Sequence, residues 1–282
     1  MISEAVNQRL AQIGPGAPMG DYLRRYWHPI GAVSQFEAPG ALPIRILGED
    51  LTLYQDLSGA FGLVDRHCPH RRANLSYGYV EACGLRCNYH GWLFGPDGRC
   101  LEQPYDDLAN PLARFKDKIT VKAYPVRVLG GLLWTYMGPD PAPCLPDWEP
   151  FSWTNGFVQI VFAEVPCNWL QAQENSIDPV HFEWMHSNWS VRLGGQSGPY
   201  GPRHLKVEFE EFEFGLIYKR IREDTTWATT SNGARPSTTR PSCRSPGPFP
   251  GFRTRWSPSN RLRSPPGQDR SGTPTDAGSP AT

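Results

Sequence analysis

The segments Cys68-Pro69-His70 and Cys87-Asn88-Tyr89-His90 constrain this chain more than anything else in it, each carrying one cysteine and one histidine with sixteen residues between them. Two thiolates and two imidazoles presented from short loops can hold either one tetrahedral zinc or a 2Fe-2S cluster with a histidine-ligated iron. Spacing separates these. A Cys2His2 zinc finger places both cysteines in one half and both histidines in the other. Here each half has one of each, which suits a cluster with cysteine on one iron and histidine on the other. A fold that presents such a group must hold two loops side by side, with backbone N–H groups reaching the sulfurs to offset their charge. Arg71-Arg72 follows the first half and Gly91-Trp92 the second, and Trp92 is placed to exclude water. His67 is out of step with the pattern and reads as a structural or supporting residue.

Around these loops the chain reads as short strands. Ile44–Leu47, Leu51–Gln55, Phe61–Asp65, Leu85–Asn88 and Val121–Val128 are separated by Gly, Asp and Pro at the spacing of a small antiparallel β domain. Gly130-Gly131 joins the last run to Leu132–Met137 as a hairpin. Residues 2–13 read as a helix ending at Gly14-Pro15-Gly16. Gly138-Pro139-Asp140-Pro141-Ala142-Pro143 is too rich in proline to continue a sheet, so a domain boundary is expected near 139–147. Beyond it Val158–Val165 reads as a strand, and Cys167 to about Trp184 as a helical stretch with Pro179 at a first turn or a kink. Val207–Phe214 and Leu216–Ile221 read as a hairpin turned at Gly215.

A second constellation lies on the helical stretch, where His181 and His186 are five residues apart in the segment Glu174–His186. One irregularity in the helix would bring both onto a common face, and two imidazoles plus one carboxylate make the open facial site of a non-haem Fe(II) oxygenase. Taken alone, such a histidine pair is a weak signal. It gains weight beside the cysteine and histidine segments upstream. Asp178 precedes Pro179 and suits a helix N-cap. Glu174 and Asn175 are candidates to support the site, Glu183 is expected to face solvent, and Trp169, Phe182, Trp184 and Trp189 are expected mostly in the core.

Charge and composition divide the chain. Its 28 Lys+Arg and 28 Asp+Glu balance overall, which excludes a basic nucleic-acid module or an acidic disordered chain. The balance is a cancellation, because residues 1–224 hold 20 cationic and 26 acidic side chains while 225–282 hold eight Arg and two Asp. No run of 18 apolar residues occurs, and the first residues lack the basic start and apolar core of a secretory signal, so a soluble cytoplasmic protein that binds neither membrane nor nucleic acid is expected. Seven cysteines in a reducing compartment point to metal ligation before disulfides. Cys83, Cys100, Cys144, Cys167 and Cys243 have no histidine at ligand spacing and are expected as small buried apolar side chains.

With both constellations in this order, most of residues 20–224 resembles the oxygenase α subunits of Rieske non-haem iron aromatic-ring oxygenases, in the phthalate dioxygenase and vanillate O-demethylase branch. Cys68–Trp92 and Cys167–Trp189 look most similar to the dehydrodivanillate O-demethylases, which act on lignin biaryls. The resemblance implies that Cys68, His70, Cys87 and His90 bind a Rieske 2Fe-2S cluster, and that His181 and His186 bind a mononuclear non-haem Fe(II). By the same resemblance, Asp178 is the aspartate that bridges a cluster histidine of the neighbouring subunit to an iron-ligating histidine, which implies a homotrimer or a multiple of it. The implied partners are an NAD(P)H-dependent reductase, with a ferredoxin in some systems, an aromatic substrate and O2. Histidine ligation raises the cluster potential and makes it an acceptor from such reductases. On a methoxy-aromatic acid, hydroxylation of the methyl gives a hemiacetal that releases formaldehyde; on a bare ring the outcome is a cis-diol. A free Rieske electron carrier would explain Cys68–His90 but should end near residue 140, with no use for Asp178, His181 and His186. A structural zinc or interaction module accounts for neither half well.

The implied fold class is α+β, with an N-terminal helix and lead-in over 1–37, an all-β Rieske domain over 38–140, and an incomplete helix-grip catalytic domain over 141–224. The family's third iron ligand is an aspartate far downstream. The last 58 residues hold only Asp269 and Asp276, among 35 Ser, Thr, Pro or Gly and roughly 17% apolar residues. Neither acid has an apolar pattern to fix it, so the iron site is expected to be incomplete. A natural extension would follow a finished domain, whereas this stretch begins 38 residues past His186. The reading favoured is a disordered tail translated in a shifted frame.

Overall fold

The computed structural model describes residues 2–146, 148–195, 204–212 and 215–223, together with the backbone of 227–232. Cys243, Asp269 and Asp276 lie outside them, as does the expected tail beyond residue 232. The described residues all fall in one unit of the chain.

Strand follows strand because β-prone runs are cut by residues that turn the chain. After helices α1 (Glu4–Ala11) and α2 (Pro18–Leu23) come β1 (Trp27–Ala32), β2 (Gly40–Ile46), β3 (Glu49–Gln55) and β4 (Phe61–Asp65). Next are β5 (Tyr79–Glu81), β6 (Gly84–Arg86), β7 (Leu93–Phe94) and β8 (Cys100–Glu102), then helix α3 (Pro104–Ala109). Strands β9 (Ala123–Tyr124), β10 (Val126–Leu129) and β11 (Leu132–Tyr136) complete this region. Leu47-Gly48 and Gly130-Gly131 are two-residue hairpin loops with positive φ at both positions, the backbone that matches the twist of paired strands. The single run expected over Val121–Val128 is two strands, because Pro125 has no N–H to donate.

Three antiparallel sheets stack through two cores. Sheet β2-β3-β4-β9 lies in the middle, with β1-β11-β10 and β5-β6-β7-β8 as the other two. Leu51, Leu53 and Leu63 meet Leu133 and Met137 in one core. Tyr54 and Val64, the alternate positions of β3 and β4, meet Leu85, Phe94, Cys68 and Cys87 in the other. Period-two alternation thus feeds both faces of the middle sheet, so β3 is buried along most of its length. Trp27–Ala32, which the sequence places in the lead-in, pairs with β11 and so belongs to this β region.

Glu49 ties the lead-in to the sheets. It is 8% exposed and accepts hydrogen bonds from Arg24 (3.0 Å), Lys122 (2.7 Å) and the Tyr124 hydroxyl (2.9 Å), while Arg24 also donates to the Leu47 carbonyl at 2.7 Å. Burial alone would raise the Glu49 carboxyl, but the hydrogen bonds from Lys122, Arg24 and Tyr124 hold it below its ordinary range.

Past the proline-rich link come α4 (Glu149–Ser152), α5 (Trp169–Ile177), a π-helical turn (Phe182–His186) and α6 (Ser187–Leu193). The hairpin β12 (His204–Phe212) and β13 (Gly215–Arg222) follows, extended by β14 (Trp227–Asn232). Strand β14 lies inside the stretch expected as disordered tail; its Trp-Ala-Thr-Thr composition is β-prone, and β13 offers it a free edge. Val158–Val165, expected as a strand, forms no strand among the described residues, and Val161 is 78% exposed. β-propensity alone does not make a strand, which also needs a neighbour's N–H and C=O groups. The cysteine expectation also changes, because Cys100 is buried while Cys83, Cys144 and Cys167 are exposed. Trp184 and Trp189, expected in the core, are exposed too, as part of the outward face of the π turn and α6. Among the described residues no helix is long and apolar enough to cross a membrane.

Candidate metal centres

The two cysteine and histidine segments form twin loops. In the first, Cys68 N–H donates to the Ala73 carbonyl (2.9 Å) and Arg72 N–H returns to the Cys68 carbonyl (3.0 Å). In the second, Cys87 N–H donates to the Trp92 carbonyl (2.8 Å) and Gly91 N–H returns to the Cys87 carbonyl (3.1 Å). Closing the chain this tightly forces positive φ at the fourth residue after each cysteine, 59° at Arg72 and 75° at Gly91. The histidines differ in position, two residues after Cys68 and three after Cys87.

The same loops aim donors at the sulfurs. Cys87 is held down to about 6: the Cys68 thiol donates to its sulfur, and the Tyr89 and His90 N–H groups add theirs against the cost of burial. As the partner in that shared hydrogen bond, Cys68 is pushed up, with burial adding to the rise and the N–H groups of His70 and Arg71 opposing it. Both thiols are 2% exposed. The imidazoles stand outside, their ring centroids 4.3 Å apart, with His70 stacked on Trp92 at 4.6 Å. Loss of water lowers the His70 pKa first, and the neighbouring His90 and Arg71 charges lower it further.

This separation bears on the choice between zinc and a cluster, in which the spacing already favours the cluster. A buried thiol pair with N–H donors on its sulfurs, beneath an exposed imidazole pair, fits a cluster with cysteines on one iron and histidines on the other.

Arg86 locks the second loop from behind, a role the motif alone did not reveal. It donates to the Gly91 carbonyl (2.6 Å), to the Glu102 carboxylate (2.6 Å), and through two nitrogens to Glu81. Glu81 raises the guanidinium pKa most, and Arg86 in turn lowers that of Glu81. Pro104 closes on the same loop, its Cγ 3.2 Å from where a Cβ on Gly91 would stand. An arginine diagonal to a glutamate across the β5–β6 hairpin was the available signal.

The second constellation is built around a helix break. Asn168 caps α5 by accepting from Leu170 N–H at 3.0 Å, and donates to the Ala11 carbonyl at 3.0 Å; Trp169 Nε1 donates to Leu10 at 3.2 Å. These bonds fix α5 on the end of α1. Asp178 closes α5, and its Oδ1 accepts from Val180 N–H (2.8 Å), starting the next helical segment as the sequence expects. Its Oδ2 lies 3.5 Å from His181 Nδ1. The π turn then widens the helix, so that His181 and His186, five residues apart, bring their ring centroids to 5.2 Å. This is the irregularity the spacing called for. The two imidazoles are therefore brought side by side, and among the described residues no third His, Cys, Asp or Glu joins them at one point. Glu174 and Asn175 lie exposed on α5, and the Glu183 side chain lies outside the described set.

Comparison with known proteins follows this geometry. A family model for the Rieske [2Fe-2S] domain matches residues 26–125. The chain is 66% identical over 225 residues to the 5,5'-dehydrodivanillate O-demethylase oxygenase subunit of Sphingobium sp. (strain NBRC 103272 / SYK-6), covering 80% of this chain and 53% of the relative. It is 34% identical over 249 residues to the phthalate 4,5-dioxygenase oxygenase subunit of Pseudomonas putida, covering 83% and 56%. The fold is similar to that of Pseudomonas putida CBB5 NdmA, with TM-score 0.54 and 24% identity over 74% of this chain and 62% of that one. Dicamba monooxygenase bound to dicamba is similar at TM-score 0.54 and 23% identity, over 70% and 56%. The chain spans about half the length of the curated relatives it matches.

Proposed function

The chain belongs to the Rieske oxygenase family, in the branch of the dehydrodivanillate and phthalate oxygenase subunits, and from that premise we propose that it is the oxygenase component of an aromatic-ring oxygenase system. It takes electrons from a reductase, with a ferredoxin in some systems, and uses O2 to O-demethylate or hydroxylate a methoxy-aromatic, lignin-derived acid. The single observation that carries this reading is the presence, on one chain, of the twin loops and of Asp178 facing His181 beside His186.

Cys68 and Cys87 would hold one iron of the cluster from the core side, and His70 and His90 the other from the surface. His181 and His186 would hold two positions on a mononuclear iron. When bound, the cluster supplies single electrons and the mononuclear iron supplies the site of O2 activation. The chain's own residues do the positioning. Burial of the thiols excludes water from the sulfur side, while the exposed imidazoles leave a short path for electrons in and out. Exposed Tyr89, with its ring against that of His90, and exposed Tyr105, next to the Pro104 that meets Gly91, support docking of a protein partner there, either the reductase side or a neighbouring subunit of a trimer. Asp178 orients His181 and starts the segment that carries it. In this organisation residues 38–140 form the cluster domain, joined by β1 from the lead-in, and 141–224 a partial catalytic domain.

A second reading, electron transfer alone, would use the twin loops and leave the histidine pair without a redox role. Anaerobic reconstitution of the full chain separates the two. Iron and sulfide analysis with EPR should give a reduced Rieske signal that Cys87→Ser or His90→Ala removes, and lack of any such signal in the unmodified chain would overturn the assignment. Substrate-dependent O2 uptake with reductase present, abolished by His181→Ala, supports the oxygenase; a full cluster signal without such uptake leaves only electron transfer.

A further inference from the structure

Helix α5 leads directly to Asp178 and the histidine turn, yet none of its residues is buried, so packing alone does not set where it stands. Its N-cap and first residue reach a different helix instead. Asn168 Nδ2 donates to the Ala11 carbonyl at 3.0 Å, and the half-buried Trp169 donates from Nε1 to the Leu10 carbonyl at 3.2 Å. Those carbonyls belong to the last turn of α1, where a helix has no partner of its own for its C=O groups. Two orphan acceptors on one helix are thus met by the side chains that open the other.

The end of α1 is itself held from the other side. The Ile13 carbonyl, two residues past that end, accepts from Arg24 Nη1 at 3.0 Å, and the same guanidinium donates through Nη2 to the Leu47 carbonyl at 2.7 Å and to Glu49 at 3.0 Å. Gly14 lies so close to the Leu47-Gly48 turn that a Cβ on Gly48 would stand 2.8 Å from its Cα. Ile13 packs on the core of Leu51, Leu63 and Leu133. Residues 10–14 are therefore gripped by the β2–β3 hairpin on one side and by the start of α5 on the other. Strand β3 carries this grip toward the cluster loops, since its Tyr54 shares a core with Cys68 and Cys87.

We propose that residues 10–14 are a latch that fixes the helix leading to Asp178, His181 and His186 against the cluster domain, with Asn168 and Trp169 as its positioning residues. This rests on the reading of His181 and His186 as iron ligands. With the latch closed, Asp178 ends α5 at a fixed place, and its Oδ2 keeps its 3.5 Å approach to His181 Nδ1. A carboxylate behind a metal-binding imidazole sets the orientation of the ring, and loss of such support costs about 10–100-fold in metal affinity. Loosening α5 is expected to cost part of that.

Two substitutions open the latch without touching the metal ligands. Asn168→Asp keeps the N-cap acceptor of α5 but replaces the donor to Ala11 by a carboxylate facing the negative end of α1, and Trp169→Phe removes the indole N–H while keeping an aromatic ring. On the full, cluster-loaded chain, hydrogen exchange of peptides covering 169–186 should be several-fold faster in each variant, with peptides covering 68–92 and the reduced-cluster EPR signal unchanged. Titration with Co(II) alone, read by the visible bands that His181→Ala removes, should show several-fold weaker binding in each variant. Unchanged exchange over 169–186, or faster exchange with unchanged Co(II) affinity, overturns the proposal. So does faster exchange that extends equally to 68–92, which marks a general loss of fold. If the unmodified chain binds no Co(II) through His181, the iron reading fails first and this proposal with it.

Discussion

Arg72 and Gly91 occupy the same place in the two ligand loops: each donates its N–H to the carbonyl of the cysteine four residues before it, at 3.0 and 3.1 Å, and each has positive φ. The loops are one backbone design used twice, with only the histidine moved by one position. The shift places one imidazole per loop at the surface while both thiols stay in the core.

That equivalence makes the two positions unequal under mutation. Arg72 carries a Cβ in the left-handed region, where a side chain costs about 1–2 kcal/mol, part of it offset in glycine by chain entropy. Arg72→Gly is therefore expected to raise stability by up to about 1 kcal/mol with cluster content unchanged. Gly91→Ala should lower stability by about 1–2 kcal/mol and reduce cluster content, since its Cβ also presses on Pro104. Urea unfolding and iron analysis of both variants check the contrast.

Arg86 is expected to matter more to cluster retention than any other residue outside the ligand set. Arg86→Met removes the bond to the Gly91 carbonyl and leaves Glu81 and Glu102 facing each other, which should cost about 2–3 kcal/mol. Bleaching of the visible cluster absorbance under a chelator should be several-fold faster than in the unmodified protein. Equal bleaching rates would show that the loop holds itself.

Glu49 predicts a pH dependence of stability. Its folded carboxyl lies below the ordinary glutamate value of 4.5, so its contribution is present above that pH and is lost as the pH falls through the folded value. Glu49→Gln should lower stability by about 2–3 kcal/mol at neutral pH, where Arg24 loses its buried partner. As the pH falls below the ordinary value of 4.5 and through the lower folded value the gap between the two proteins should narrow, which thermal melts over an acid-to-neutral series would show.

Asp178 has a capping role and a role facing His181, and substitution can part them. Asn caps a helix about as well as Asp, whereas Ala costs about 1 kcal/mol. Asp178→Asn should keep helix content and stability but slow electron transfer to the iron in single-turnover experiments; Asp178→Ala should lose both. If Asp178→Asn transfers electrons at the unmodified rate, the carboxylate acts as a cap alone.

Much of the site could be read from the sequence because ligand chemistry is written in residue type and short spacing. Cys68 and Cys87 are buried together with the His70 and His90 rings paired outside them, an arrangement compatible with the motif, and the helical irregularity expected between His181 and His186 is the π turn at Phe182–His186. The strands of the middle sheet were legible for a similar reason, as β3 and β4 follow local alternation between turn residues. Strand β1 was missed because Trp27-His28-Pro29-Ile30 shows no clean alternation and is held by pairing with β11.

The sequence by itself determined which atoms can bind metal, where the chain turns and which runs prefer to be extended, because these are properties of neighbouring residues. Tertiary structure alone decided which β-prone runs become strands, since Val158–Val165 has the composition but pairs with no strand among the described residues, while Trp227–Asn232 finds the edge of β13. It also decided that the thiols are buried and the imidazoles exposed, and that Arg86 reaches Gly91. Each of these depends on hydrogen-bond partners and desolvation supplied by segments distant in the chain, and no local pattern encodes them.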